Sequence, residues 1–148
     1  MTTKSHKYNH WTTKLKLSPD TAFGFIYRIT NKVTKKKYIG KKQYHRYTRG
    51  GKKTGTSNWK KYTGSSKDLN ADIKLLGMKK FKFEIIEEYR TRGWLVYAEC
   101  NHLHKCDALT QWNDEGTERV YYNAQIGAIK FIPKRFDDPT PIKRDKKT

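Results

Sequence analysis

The amino-acid sequence predicts a single α+β domain, and three observations support this prediction. The chain has 148 residues, enough for a core that removes about two thirds of the unfolded surface from water. Aromatic residues make up 14% of it, so large side chains are available for that core although the mean hydropathy is −1.02. Strand-like and helix-like patterns follow one another without an internal repeat, which favours one mixed α+β layer fold.

A β-hairpin is the first predicted element. Residues 23–30 are rich in aromatic and β-branched side chains, which is typical of a strand, and residues 36–42 are predicted as its partner. The polar residues 31–35 between them are typical of a turn. Such a hairpin would bring Tyr27 and Tyr38 close together.

An irregular segment and then a helix are predicted next. Residues 43–62 show no clear period, and their Gly- and Lys-rich centre at 49–55 predicts a mobile basic loop. Ser65 or Ser66 would cap the following helix, and Gly77 would end it. The apolar residues at helical spacing within it are Leu69, Ile73 and Leu76.

The C-terminal half adds a third strand and a second helix. Phe81, Phe83 and Ile85 alternate with charged residues, as expected of a strand with one buried face. A helix is predicted from about residue 94 to about residue 109, and residues 121–126 form a last short strand or extended segment.

The charge of the chain predicts a polyanionic partner. The formal charge is +19, with 33 basic and 14 acidic residues, and self-repulsion at that density calls for a neutralising partner. Residues 21–67 contain 14 Lys or Arg and no Asp or Glu. Because no apolar run approaches the roughly 20 residues of a membrane-spanning helix, nucleic acid is the expected partner and a membrane is not.

The cellular location is predicted from the cysteines and the N-terminus. The chain has two cysteines, Cys100 and Cys106, which suit a reducing compartment and give no disulfide framework. The N-terminus lacks the apolar core of a signal peptide. A cytoplasmic protein is therefore expected.

One carboxylate stands out on the second predicted helix. Val96, Glu99, Leu103 and Cys106 fall along one face of that helix, so Glu99 is a lone acid on a mainly apolar stripe. Burying an unpaired carboxylate is costly, and Glu99 must therefore have a partner. From the helix alone, a structural ion pair with a basic residue and a metal ion are equally reasonable.

The hairpin tyrosines also allow two interpretations. Tyr27 and Tyr38 could be a packed cross-strand pair, which is common in sheets. Alternatively their hydroxyls share a pocket beside Lys41 and Lys42, where nearby cations would favour the phenolate form and let it act on a water molecule.

The spacing of these motifs identifies a resemblance. The segment Gly24-Phe25-Ile26-Tyr27 followed by Tyr38-Ile39-Gly40 resembles the signature of the GIY-YIG nuclease superfamily. Residues 59–66 and the helix after them resemble phage-encoded and homing-endonuclease-like members, and the likeness extends over residues 23–131. It implies a central antiparallel three-stranded sheet flanked by helices. It also implies a nuclease domain at 21–132, between a basic N-terminal arm at 1–20 and a basic, proline-containing tail at 133–148.

The resemblance also implies roles for individual residues. Glu99 would bind a single divalent cation, Mg²⁺ or another such as Mn²⁺, which decides between the two interpretations of that carboxylate. The catalytic arginine is either Arg46 or Arg49, and we prefer Arg46 because aromatic residues rather than glycines flank it. The remaining expected catalytic residues are Tyr27 for the attacking water, Tyr38 near the scissile phosphate, Lys41 for proton transfer and Asn123 as support.

The expected function is therefore that of a metal-dependent endonuclease acting on double-stranded DNA, as a monomer or a homodimer. Trp59 could stack on a base or anchor the loop to the core, and core packing is slightly favoured. A non-catalytic nucleic-acid-binding module with the same fold is the alternative, and a structural RNA-binding protein of the ribosomal type is a third possibility. The expected DNA contacts, besides Trp59, are Lys42, Arg49, Lys52, Lys53, Lys60 and Lys61.

Overall fold

A four-stranded sheet organises the computed structural model, which describes residues 7–131. Its strands lie in the order β1 (Trp11–Thr13), β6 (Phe81–Tyr89), β2 (Gly24–Asn31) and β3 (Lys37–Gln43). β2 pairs antiparallel with both β3 and β6, whereas β1 pairs parallel with β6. The predicted α+β class is confirmed, but the sheet has four strands and is mixed, where three antiparallel strands were expected.

The additional strand comes from the predicted N-terminal arm. Trp11 is 0% exposed, and its Nε1 donates a hydrogen bond to the Trp59 carbonyl oxygen at 2.7 Å. A buried tryptophan removes a large apolar area from water, so this segment is tied to the core. Residues 1–6 and the predicted tail at 133–148 lie outside the described residues.

Alternation along β2 builds two packed layers. Phe25, Tyr27 and Ile29 lie in a core shared with Leu69 and Ile73 of helix α1 (Lys67–Leu76). The intervening Ile26 lies in a second core beneath helix α2 (Arg92–Lys105), with Leu95, Ala98 and Leu103. Since successive strand residues point to opposite faces, one strand supports a helix on each side.

Both helices begin at hydroxyl caps. The Ser66 side chain accepts a hydrogen bond from the Leu69 backbone N–H at 3.2 Å, which confirms one of the two predicted caps of α1. Thr91 caps α2 in the same way by accepting from Trp94 N–H at 3.2 Å, so α2 begins two residues earlier than predicted. Within residues 7–131, neither helix is long and apolar enough to cross a membrane.

The segment predicted as an irregular loop is largely ordered. It forms a second, two-stranded sheet from β4 (His45–Tyr47) and β5 (Lys53–Thr56), followed by a 3-10 turn at Trp59–Lys61. Tyr47 stacks on Phe23 with 5.4 Å between ring centroids, so the hairpin is anchored to the main domain. The expectation of an irregular loop was wrong because these anchoring contacts are not visible in a periodicity analysis.

Candidate active site

Tyr27 and Gly40 face each other across the strands β2 and β3. They are direct register partners, and the Tyr27 ring lies so close over Gly40 that a Cβ there would collide with its phenol oxygen. The pairing of β2 with β6 shifts register between Ile26 and Tyr27, where Ile86 is the extra residue of a β-bulge on β6. The glycine of the second motif thus makes room for the tyrosine of the first.

The Tyr27 phenol is held in its neutral form. Its side chain is 1% exposed and hydrogen-bonds to Tyr62. Burial raises the pKa of Tyr27 well above its ordinary value, and the neighbouring Tyr38 and Tyr62 phenols raise it further. The expectation that nearby cations would favour a phenolate at Tyr27 is therefore wrong, because each of these causes raises the pKa and none of them is a cation.

Tyr38 occupies a more open position. Its hydroxyl lies 3.1 Å from Ser65 Oγ, just before α1, so it joins the edge strand β3 to the start of that helix. Its ring centroid is 6.1 Å from that of Tyr27. Burial also raises the pKa of Tyr38, although its side chain lines an open cavity.

That cavity, about 790 Å³ in volume, also contains Glu99, and we call it the Glu99 cavity. Glu99 Oε1 lies 3.8 Å from Lys41 Nζ, and the two side chains are 22% and 36% exposed, respectively. Burial raises the pKa of Glu99, and the charge and hydrogen bonding of Lys41 partly offset this rise. The carboxylate therefore has the cationic partner that its place on the helix requires.

Asn123 holds the edge of the sheet next to this cavity. Its side-chain oxygen accepts from Ile39 N–H at 3.0 Å, and its amide donates to the Ile39 carbonyl at 2.8 Å. The side chain thereby satisfies the backbone of β3 midway between Tyr38 and Lys41, where a further strand would otherwise pair. Asn123 is buried and acts as a positioning residue for those two side chains.

The two candidate arginines lie in different places. Arg46 is on β4 and extends over Gly55, where a Cβ would come within 3.3 Å of its guanidinium. It lines a second cavity of about 560 Å³, next to Lys41. Arg49 is exposed in the turn between β4 and β5 and lines neither cavity.

The structure thus brings four of the six expected catalytic residues, Tyr38, Lys41, Glu99 and Asn123, to the Glu99 cavity. Tyr27 lies beneath its edge and Arg46 beside it.

The residues expected to contact DNA differ in how exposed their side chains are. Trp59 is 2% exposed and packs in the core, which excludes base stacking and confirms the core alternative. Lys42 is partly buried with its Nζ 4.1 Å from the Tyr62 ring centroid, and burial lowers the pKa of this lysine. The remaining five expected contacts are exposed: Arg49, Lys52, Lys53, Lys60 and Lys61.

Three residues beside the predicted ones were not identified from the sequence. Tyr62 contacts Tyr27, and Ser65 contacts the Tyr38 hydroxyl. Both lie in the stretch that resembles phage members, so that likeness was a usable signal. Arg92 lines the second cavity from the start of α2, and no spacing in the sequence indicated it.

The donor set of the Glu99 cavity suits one kind of metal binding. Within residues 7–131, no group of three or more His, Cys, Asp or Glu side chains is placed to surround a metal ion. Mg²⁺, however, commonly binds through one or two carboxylates and completes its shell with waters and substrate phosphates. The half-buried Glu99, which lines this open cavity together with Asp68, fits that mode.

Comparison with known protein families gives a match. The protein-family model described as "Putative endonuclease segE, GIY-YIG domain" matches residues 7–126. The matched range includes β1 as well as both tyrosine motifs. A search of curated proteins and a search of solved structures each found no match.

Proposed function

We propose that this chain, which belongs to the GIY-YIG endonuclease family, hydrolyses phosphodiester bonds of double-stranded DNA with one divalent cation. The observation that carries this proposal is that Tyr38, Lys41 and Glu99 line one cavity. Two of these residues belong to the stretch 21–67, which contains no Asp or Glu. A basic binding surface alone would have no need for a half-buried glutamate beside Lys41, where the carboxylate weakens attraction to phosphate.

Glu99 is the residue that would hold Mg²⁺ or Mn²⁺. The bound ion would neutralise charge on the phosphate and stabilise the leaving oxygen. Lys41 Nζ, close to Glu99, would stabilise charge on the same phosphate or assist proton transfer. Arg46 would steady the phosphate from the neighbouring cavity.

The two tyrosines would have different roles, one acting on the water and one in positioning. Tyr38 faces the Glu99 cavity and can orient a water molecule through its hydroxyl. Tyr27 is buried beneath Gly40 and hydrogen-bonded to Tyr62, so it positions the edge strand and the hydroxyls around it. Both phenols are protonated near neutral pH, since the ordinary pKa of tyrosine is about 10 and burial raises the pKa of each further.

Conversion of supercoiled plasmid tests this function. The full chain should nick or linearise the plasmid with Mg²⁺ and stop doing so when EDTA is added. Binding of the plasmid without any cleavage, in Mg²⁺ or Mn²⁺, would instead support the alternative of a non-catalytic nucleic-acid-binding module.

A further inference from the structure

The second cavity, which we call the Arg92 cavity, concentrates positive charge from three elements. Lys41 and Lys42 on β3, Arg46 on β4 and Arg92 on α2 all line it. None of the described side chains lining it is a carboxylate. Its volume of about 560 Å³ falls in the range of sites that hold small ligands.

Three of these cations have no acidic partner among the described residues. Within residues 7–131, no carboxylate forms an ion pair with Lys42, Arg46 or Arg92. Two of them lie instead against aromatic rings. The Arg92 guanidinium carbon is 5.2 Å from the Phe23 ring centroid, and Lys42 Nζ is 4.1 Å from that of Tyr62. These contacts orient the cations without neutralising them.

The Arg92 cavity adjoins the Glu99 cavity. Lys41 and Val96 line both of them, so one strand of DNA could occupy the two together. Phosphates of one strand recur about every 3.4 Å along the duplex axis. A strand with its scissile phosphate beside Glu99 would therefore carry another phosphate past Arg92.

We propose that the Arg92 cavity is a subsite for a phosphodiester that flanks the cleaved one, held by Arg92 and Lys42. Arginine binds phosphate through two parallel hydrogen bonds, and the Arg92 guanidinium lies against the Phe23 ring at the wall of this cavity. Ser57 and Asn58, which also line the cavity, supply neutral polar groups. This subsite deepens the proposed nuclease function and rests on it.

A scan with neutral methylphosphonate linkages tests the subsite. Duplexes with one such linkage at successive positions are bound, in EDTA, to the wild-type chain and to Arg92→Gln. Hydrogen bonds to charged groups are strong enough that one flanking position should weaken wild-type binding by about tenfold. In Arg92→Gln, the loss caused by the same linkage should shrink to about threefold, because the Arg92 contact is already gone and only that of Lys42 remains.

Arg90→Gln is the matched control, since Arg90 is exposed, lies two residues from Arg92 and lines neither cavity. It should keep the wild-type methylphosphonate pattern. For each variant, the affinity for the methylphosphonate duplex is divided by its affinity for the unmodified duplex. A general loss of stability therefore cancels from this ratio.

The proposal is overturned if no single position is sensitive in the wild type, or if Arg92→Gln keeps the full tenfold loss. The sensitive position should also flank the linkage that wild type cuts with Mg²⁺, and a distant one would overturn the assignment. If the position-specific loss shrinks in Arg92→Gln but the wild type cuts no DNA, the phosphate subsite stands and the nuclease function falls.

Discussion

Burial separates the two motif tyrosines at the scale of single residues. Tyr27 is almost fully enclosed and hydrogen-bonded to Tyr62, whereas Tyr38 lines the Glu99 cavity with its hydroxyl beside Ser65. The sequence motif places both at the same strand pair but does not say which of them reaches substrate. That distinction depends on Gly40, which admits the Tyr27 ring beneath the edge strand.

Removing each hydroxyl in turn should therefore have unequal effects. We expect Tyr38→Phe to slow cleavage by about 10²-fold, because the reacting water loses the hydroxyl that orients it. Tyr27→Phe keeps the packed ring and should slow it by less than about tenfold. Single-turnover cleavage of one duplex by both variants measures these rates. A larger rate loss in Tyr27→Phe than in Tyr38→Phe would show that Tyr27 is the residue that acts on the water.

At the scale of elements, the parts that were predictable are those set by local pattern. The β2–β3 hairpin and α1 were predicted because alternation, turn residues and a serine cap all lie within a short stretch. β1 was missed because it has three residues and pairs with β6 some 72 positions away, at Thr13 and Ile85. Non-local pairing leaves no period in the sequence.

The edge strand β3 is the element on which the site depends. Asn123→Ala would leave the Ile39 backbone N–H and carbonyl without their two partners. Leaving buried backbone groups unpaired costs about 1–3 kcal/mol each, so the free energy of unfolding should fall by at least about 1 kcal/mol. Urea unfolding measures this, and cleavage by the remaining folded protein should also fall because Tyr38 and Lys41 lose their alignment. Unchanged stability would show that water replaces the amide.

The β4–β5 hairpin provides a matched pair of arginines. Arg46→Ala should lower the cleavage rate of bound DNA, because Arg46 lines the Arg92 cavity beside Lys41. Arg49→Ala should leave that rate within about twofold and mainly weaken affinity, flattening the slope of log affinity against log salt by about 0.9 if one phosphate contact is lost. Rates at saturating protein and binding from low to high salt separate the two effects. A rate loss confined to Arg49→Ala would reverse the assignment.

At the scale of the whole molecule, composition indicated the partner class but not the arrangement of charge. The acid-free run of residues 21–67 predicted a polyanion-binding surface. The role of Arg92 could not be predicted, because it depends on where α2 packs against Phe23 and β3. Several of the aromatic residues in the core are tyrosines. Because a phenol ionises at high pH, their burial makes stability depend on pH in that range.

Alkaline pH should therefore unfold the protein cooperatively. The pKa of Tyr121 and that of Tyr122 are each raised to about 12, mainly by burial. A tyrosine with a raised pKa in the folded state contributes stability that is present below its unfolded pKa of about 10 and is lost as pH rises through the folded pKa. Other tyrosines whose pKa burial raises are Tyr27, Tyr38, Tyr44 and Tyr89.

Urea midpoints measured across this range should fall above about pH 10. Phenolate absorbance should rise together with unfolding, and full ionisation of the tyrosines in a still folded chain would contradict this expectation.

Single-turnover cleavage of a labelled duplex by wild type and Glu99→Gln, as Mg²⁺ is raised, tests the central claim most directly. Glu118→Gln is the control, because Glu118 pairs with Lys36 at 3.8 Å, the same separation as Glu99 and Lys41. We predict a metal-dependent rate for wild type and the control, and a loss of at least about 10²-fold for Glu99→Gln. DNA affinity should stay close to wild type, and the free energy of unfolding should change by less than about 1 kcal/mol. Equal cleavage by wild type and Glu99→Gln would contradict the account.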